Sequence, residues 1–333
     1  MVLLFCALGL LAAVTIYDLL QRKHAILRNF PILGHFRYWF EAVGPELRQY
    51  IVTNNNEERP FSRDQRRWVY ASSKQENNYF GFGSDQDMER QSNYLAIKHH
   101  TFPLQSPVHG DPTYDPQFTI PCAKVLGAAR GRAKAFRPAS VINVSGMSFG
   151  SLSGPAVESL NRGAQIVDCL HNTGEGGVSP YHLNGGDLIW QVGTGYFGCR
   201  EADGRFSMAR LKETVARCPQ IRAIEIKLSQ GAKPGVGGLL PMAKISPEIA
   251  ETRGIPLDRD CASPAAHNAF GNADELLDFV ESIAAATGLP VGIKSAVGES
   301  TFWISLARLM STGTRGVDFI TIDGGEGGTG AGP

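Results

Sequence analysis

The feature that most constrains the fold is an order of segments that repeats from about residue 121 onward. An apolar run typical of a strand is followed by a glycine-rich loop, and the loop is followed by a segment with helical periodicity. Strands that alternate with helices predict a parallel β-sheet. The predicted strands cover residues 141–144, 167–170, 221–228, 291–293 and 317–322, and the predicted helices cover residues 152–166, 207–217, 246–252, 272–287 and 299–310. Residues 187–192 are interpreted as a hairpin insertion with residues 197–206.

The polar residues and glycines of each unit fall after its strand, which is where sites form at the C-terminal rim of a (β/α)₈ barrel. A closed barrel of this kind needs eight strands, and the chain stops at Pro333 directly after a glycine loop. We therefore predict an α/β fold, a TIM-type barrel that is incomplete, with about five of its eight strands present. No GxGxxG stands between a first strand and a helix, which disfavours a dinucleotide-binding Rossmann domain.

Residues 221–241, IRAIEIKLSQGAKPGVGGLLP, join a buried strand to a glycine loop. Lys227 lies near the end of the strand, where a buried ammonium is costly unless an anion meets it. Lys233 lies inside the loop, and glycines allow the backbone to approach a ligand closely. The stretch therefore predicts the mouth of a site for an anionic ligand. The alternative is a structural turn that carries two solvated lysines.

Composition excludes some classes of function. The chain has 333 residues with 32 basic and 32 acidic side chains, so it lacks the basic excess of a dedicated nucleic-acid binder. Its six cysteines lie far apart without a CxxC spacing, which disfavours a zinc or iron–sulfur site in this segment. Sparse cysteines in a large domain are typical of a reducing compartment, so we predict free thiols.

The N-terminal segment, up to Tyr17, contains no charged residue, and basic residues follow it. We predict a transmembrane helix over residues 1–23, with the body of the protein on the cytoplasmic side of the membrane. A buried or interfacial helix and a signal peptide are the alternatives. Residues 24–120 are predicted to form a juxtamembrane segment and N-terminal extension, and residues 121–333 to form the barrel domain.

Six ordered motifs point to a known family. They are SGMSFGSLS, NTGEGG, IEIKLSQGAKPGVGG, KISPEIAETRG, VGIKSAVG and IDGGEGGTGAGP. In order and spacing they resemble the FMN-binding synthase domain of glutamate synthase, and most of all its membrane-anchored, stand-alone relatives. The resemblance is strong over about residues 140–333 and weak before them.

The resemblance implies FMN as cofactor and a reaction in which 2-oxoglutarate and ammonia give 2-iminoglutarate, which reduced FMN converts to glutamate. It implies catalytic roles for Glu175, in proton transfer, and for Lys227, beside the flavin. Substrate binding is implied for Gln230, Lys233 and Arg253. The implied flavin-binding residues are Gly146, Met147, Ser148, Thr173, Lys227, Gln230, Lys294, Asp323, Gly324, Gly325 and Gly328. The cysteines for a [3Fe–4S] cluster lie, in the family, past the end of this chain.

Two positions depart from the family pattern. Val236 replaces a residue that is commonly polar or acidic, and Leu239 replaces a glutamine. Both changes remove polar contacts beside the substrate loop, so an FMN barrel oxidoreductase acting on another small acid is an alternative. A non-catalytic, membrane-tethered subunit is a further one. The predicted partners are 2-oxoglutarate, ammonia, the membrane and an electron-donor protein, without nucleic acid.

Overall fold

The fold was analysed in a computed structural model, which describes residues 2–50, 61–79, 98–102, 105–115, 122–233 and 235–325, with the single positions 81, 83 and 118. The chain divides into two compact units, residues Met1–Gln105 and Ser106–Pro333.

The described part of the first unit is helical. Its helices are α1 (Val2–Leu20), α2 (Ala25–Asn29), α3 (Leu33–Tyr50) and α4 (Arg63–Ser73). The carboxylate of Asp18, buried in the last turn of α1, accepts hydrogen bonds from the backbone N–H of Ile32 and from Nε2 of His35, both at 2.9 Å. Helix α1 is therefore tied at its C-terminal end to the start of α3.

The prediction of a transmembrane helix, and of the membrane location derived from it, is wrong. Within the described part of the chain, none of the helices combines the length and the apolarity needed to cross a bilayer. The uncharged run ends at Tyr17, and as a helix it is roughly 26 Å long, short of a hydrocarbon core of about 30 Å. The next residue is the charged Asp18, which is held by hydrogen bonds within the unit.

The second unit contains a parallel sheet of five strands in the order β1-β2-β3-β6-β7. These strands are β1 (His171–Asn172), β2 (Leu188–Val192), β3 (Ile221–Lys227), β6 (Val291–Ala296) and β7 (Ile320–Asp323). Two short strands, β4 (Leu239–Leu240) and β5 (Cys261–Ala262), form a separate antiparallel pair between β3 and β6 in the chain. Helices follow as α5 (Gly154–Ile166), α6 (Met208–Arg217), α7 (Pro247–Arg253), α8 (Ala273–Thr287) and α9 (Ser300–Met310).

The sheet is curled into a half-barrel, and one side chain demonstrates this. The carboxylate of Glu225, on the central strand β3, accepts hydrogen bonds from Asn172 on β1 and from Thr321 on β7. In a flat sheet, strands spaced by about 4.8 Å would hold β1 and β7 roughly 19 Å apart. A single carboxylate can reach both only because the sheet curves around it. This architecture fits an incomplete barrel, as predicted.

The inner and outer faces of the half-barrel differ in chemistry. On the outer face, the strands pack their apolar side chains against α6, α8 and α9, with Trp190, Ile224 and Ile293 fully buried. The deepest part of the inner face is also apolar, where Leu170 and Ala223 pack with Phe319. Because side chains alternate along a strand, the next inward positions on each strand lie one layer nearer the mouth.

The prediction that residues 187–192 form a hairpin is wrong. Strand β2 lies in the parallel sheet between β1 and β3. Its one polar residue, Gln191, is buried and donates to Glu225 inside the curl. Conversely, the predicted strand at 141–144 is reduced to a single bridge between Val144 and His171.

Candidate active site

Two lysines lie side by side at the carboxyl ends of neighbouring strands. Lys227 ends β3 and is the register partner of Lys294 on β6. The ammonium of Lys227 donates to Oε1 of Glu175 at 2.6 Å and to Oε1 of Gln230 at 2.9 Å. The ammonium of Lys294 lies 3.4 Å from Oδ1 of Asp323, at the end of β7. Four residues predicted from separate motifs, and Gln230, are thus brought to one mouth.

Glu175 reaches Lys227 because the backbone before it turns sharply. Gly174 has φ 63°, a left-handed conformation that favours glycine, and a Cβ there would lie 2.7 Å from the backbone N of Ser148. Its N–H donates to Oδ1 of Asn172 at 3.0 Å, which closes the turn. The glycines of the NTGEGG motif are therefore required by geometry at this point.

The pKa of Lys227 lies below its ordinary value. Burial is the main cause, and the nearby ammonium groups of Lys294 and Lys233 lower it further, whereas Glu175 acts in the opposite direction. Among the described residues, the ammonium groups of Lys227, Lys294 and Lys233 and the carboxylates of Glu175 and Asp323 lie around this mouth. An additional anion placed among them would favour the charged form of Lys227.

The glycine loop after β3 forms one wall of the mouth. Gly231 approaches Gly324 so closely that a Cβ would lie 1.8 Å from the carbonyl oxygen, and its N–H donates to Oδ2 of Asp323 at 2.8 Å. Lys233 donates to the carbonyl of Gly237 at 3.3 Å. The pocket is lined by Glu175, Thr194, Lys227, Leu228, Ser229, Gln230, Lys233, Gly235, Val236, Gly237, Gly238, Pro264 and Ala265.

A second cavity, of about 610 Å³, adjoins this pocket and shares Leu228, Ser229 and Gly235 with it. Phe302 and Trp303 of α9 supply an aromatic wall, and Asp323 and Gly325 lie opposite within the same lining. Gly324 is exposed at this edge. Gly328 lies outside the described residues, so its predicted role stays a prediction.

The predicted loop of Gly146, Met147 and Ser148 lies beside the Glu175 turn. The N–H of Met147 donates to the carbonyl of Asn172 at 3.1 Å, and Nε2 of His182 donates to the carbonyl of Met147 at 2.9 Å. Thr173 is buried, and its hydroxyl donates to the carbonyl of Gly174 at 2.9 Å. The two loops therefore form a connected rim.

Arg253 lies apart from the Lys227 pocket. Its buried guanidinium donates through Nη2 to the carbonyl of Phe149 at 3.1 Å and stacks on the Phe197 ring, with 5.1 Å from Cζ to the ring centroid. It is absent from the lining of that pocket and instead lines a cavity beside α6. Arg253 therefore holds the backbone at Phe149 in place. Its position gives no evidence for the predicted contact with a substrate carboxylate.

His267, which was not among the residues predicted from the sequence, binds the backbone of Lys227. Its Nε2 donates to the Lys227 carbonyl at 2.8 Å, and its Nδ1 lies 3.0 Å from the hydroxyl of Tyr196. Because the N–H of Ala269 donates to that hydroxyl, the tyrosine proton is available for Nδ1, which defines a neutral imidazole. Burial lowers the pKa of His267 accordingly. No local pattern around residue 267 indicates this contact.

The fold and this geometry define a class: an α/β half-barrel protein with a cation-rich mouth at the carboxyl ends of its strands. The family model described as a conserved region in glutamate synthase matches residues 120–333. The chain belongs to the glutamate synthase family.

Curated relatives agree with this assignment. The chain is 38% identical to the glutamate synthase large subunit-like protein YerD of Bacillus subtilis, over 97% of this chain and 66% of that protein. It is 39% identical to the archaeal-type glutamate synthase [NADPH] of Thermotoga maritima, over 56% of this chain and 34% of the relative. It is 36% identical to the archaeal glutamate synthase [NADPH] of Methanocaldococcus jannaschii, over 58% of this chain and 35% of that relative. The chain thus spans between a third and two thirds of these relatives.

Proposed function

We propose that the protein is an FMN-dependent oxidoreductase of the glutamate synthase type that converts 2-oxoglutarate and ammonia to glutamate. Family membership supports this class of reaction. The single observation that carries the proposal is the ammonium of Lys227, held between Glu175 and Gln230 beside the register partner Lys294. The curled five-stranded sheet is, in this proposal, part of a (β/α)₈ barrel.

The chemistry of the mouth fits a flavin. Lys227, Lys294 and Lys233 bring three ammonium groups to the mouth, and such groups suit an anionic ring or phosphate. The loop of Gly146 and Met147 lies beside the turn that carries Glu175, and Thr173 lies within the same rim. These residues and Asp323 are the ones that we propose hold the cofactor.

When bound, reduced flavin would supply the hydride that is added to C2 of the imino acid. Lys227 would stabilise negative charge at the mouth, and its burial makes that interaction stronger than in water. Oε1 of Glu175 accepts a hydrogen bond from the Lys227 ammonium at 2.6 Å, so this carboxylate would be placed to exchange protons as ammonia adds and water leaves. Gln230 would orient the pair through its amide oxygen.

Flavin binding is tested first. The purified chain is reconstituted with FMN, and the retained flavin is measured by its absorption in the visible range. We expect Lys294→Met to weaken retention by tenfold or more, because it removes a half-buried cation from the mouth, whereas Lys212→Met on the exposed face of α6 leaves it unchanged. Equal retention by both variants would contradict the cofactor assignment.

Activity is tested next, by glutamate formation from 2-oxoglutarate and ammonium with a chemical reductant. We expect Glu175→Gln to lower kcat by about 10²- to 10⁴-fold, the range for loss of a general acid–base group. Glu213→Gln, at an exposed position of α6, is the matched control. The electron donor and the source of ammonia are proposed to be separate partners.

One observation favours a second candidate substrate. Val236 lines the pocket at a position where a polar residue would meet a dicarboxylate, and Leu239 in β4 is also apolar. An FMN oxidoreductase acting on a different small acid fits these two positions. Comparing 2-oxoglutarate with less polar 2-oxo acids in the same assay separates the two candidates. A preference for the less polar acids that Val236→Gln, which adds an uncharged hydrogen-bond donor, reverses would establish the second.

A further inference from the structure

A layer of polar side chains crosses the interior of the half-barrel directly beneath the mouth. Oε1 of Glu225 accepts hydrogen bonds from Nδ2 of Asn172 at 2.8 Å and from Nε2 of Gln191 at 2.6 Å. Its Oε2 accepts a hydrogen bond from the hydroxyl of Thr321. Four strands, β1, β2, β3 and β7, thus contribute one side chain each to a single cluster.

Burying the Glu225 carboxylate in this layer carries a free-energy cost. Glu225 is 1% exposed, and among the described residues no lysine, arginine or histidine lies within ion-pair distance of its carboxylate. A buried charge costs several kcal/mol unless hydrogen bonds replace its hydration. Interiors of (β/α)₈ barrels are mostly filled by branched apolar residues, which would avoid this cost.

The cluster is connected to the turn that aims Glu175. The Asn172 side chain donates to Glu225 through Nδ2, which fixes the amide orientation so that Oδ1 faces the N–H of Gly174 at 3.0 Å. Gly174 directly precedes Glu175, whose carboxylate meets Lys227. A rotated Asn172 amide would present N–H to N–H at Gly174 and open the turn.

The Glu225 carboxylate is also connected to the opposite side of the mouth, through its hydrogen bond with Thr321. Thr321 lies two residues before Asp323 on β7, and Asp323 pairs with Lys294 and with the N–H of Gly231. Glu225 itself lies two residues before Lys227 on β3. Its three acceptor contacts therefore hold β1, β2 and β7 around β3 at the level just below both lysine–carboxylate pairs.

We propose that Glu225 is a positioning residue that sets the Asn172 amide and, through it, the turn carrying Glu175. Its catalytic meaning rests on the proposed function, but the positioning does not. Acceptance of hydrogen bonds is the required property, and charge is not. A glutamine at this position can keep its oxygen toward Asn172 and Gln191 and turn its NH₂ group to the hydroxyl of Thr321, which can accept as well as donate.

The test is amide exchange at Gly174 in the full chain, followed by mass spectrometry with fragmentation that resolves single residues. We expect Glu225→Leu to speed exchange at Gly174 about fivefold, which corresponds to the loss of one hydrogen bond of about 1 kcal/mol. Glu225→Gln should leave the rate within about twofold, because it rescues the acceptor. Amides of α8, remote from the cluster, report global stability and should not change in step.

Each outcome decides the proposal. Unchanged exchange at Gly174 in folded Glu225→Leu overturns it, and so does faster exchange in Glu225→Gln, which would show that charge is required. If Glu225→Leu does not fold, Glu225→Ser carries the same expectation, since its hydroxyl is too short to reach Asn172. Exchange needs neither flavin nor substrate. Altered exchange without any glutamate formation in the unaltered chain would therefore refute the proposed function and leave the positioning role established.

Discussion

Arg132 links the segment before the first strand to two later elements, and its removal is expected to destabilise the second unit strongly. Its Nε donates to Oδ2 of Asp318 at 2.9 Å, its Nη2 donates to Oε1 of Glu281 at 3.0 Å, and the same nitrogen donates to the carbonyl of Gly316 at 3.1 Å. The side chain of Asp318 is 1% exposed, so Arg132→Met leaves a buried carboxylate whose remaining donor, among the residues that the structure describes, is the N–H of Val291 at 2.7 Å.

Breaking a buried pair by removing one partner costs about 3–5 kcal/mol. We expect the lower end, about 3 kcal/mol, because Asp318 keeps one donor and Glu281, at 26% exposure, can be hydrated. For a unit of this size, that corresponds to a fall in Tm of about 6–12 °C. Chemical and thermal unfolding of the purified variant measure it.

Two further variants sharpen the test. Arg162→Met breaks an exposed pair with Glu158 four residues earlier in α5, with side chains 63% and 35% exposed, and should cost about 0.5 kcal/mol or less. Arg132→Met combined with Asp318→Asn removes the lone buried charge and should recover at least about 1 kcal/mol. If Arg132→Met cost no more than Arg162→Met, the reasoning from burial would be refuted.

The same contacts predict an acid-side pH dependence. Burial acts to raise the pKa of Glu281, but hydrogen bonds from Arg132 and from the Gly316 N–H outweigh it and hold the pKa below its ordinary value of 4.5. The stabilisation is therefore fully present above pH 4.5 and is lost as pH falls through the lower pKa of the folded state. In Arg132→Met, unfolding free energy should fall less steeply below pH 4.5.

Three other predictions follow from single contacts. Burial, and then the nearby His182, lower the pKa of His171 from 6.5 to about 4. Stability should therefore fall by about 2 kcal/mol between pH 7 and 5, because the unfolded chain gains a proton that the folded chain does not, and His171→Asn should flatten this slope in pH-dependent unfolding. Gly292→Ala should lower the unfolding free energy by at least about 2 kcal/mol, because a Cβ there would lie 2.5 Å from the ring of Phe319. Gly163→Ala in α5 is the control: a Cβ there meets open space, so the variant should be more stable by about 0.5–1 kcal/mol. Glu175→Gln should lower the pKa of the partner ammonium further, so that amine-reactive labels modify Lys227 at lower pH.

The helices of the second unit were predictable from the sequence to within about two residues. Ser153, Ser207, Ser246 and Asn272 each precede an apolar periodic run, and each accepts an N–H of the first turn as an N-cap. The sequence also placed Lys227 at the end of a buried strand. These features are local, since periodicity and capping depend on residues within a few positions of one another.

The inner face of the half-barrel could not be derived in this way. Residues 187–192 were interpreted as a hairpin, because a single sequence does not show that Glu225 accepts a hydrogen bond from Gln191 across 34 positions. His267 and Arg253 gave no local sign of what they contact, since both bond to backbone carbonyls of distant segments. The N-terminal apolar run predicted a membrane span because apolarity alone does not show that Asp18 anchors the end of the run within the unit.

The sequence by itself determined which residues carry charge and which turns require glycine, and the ordered motifs placed the chain in its family. Only the tertiary structure decided that Lys227, Glu175 and Lys294 share a mouth. The reason is that the curl and the register of the strands set these distances, and both arise from the packing of strands far apart in the chain.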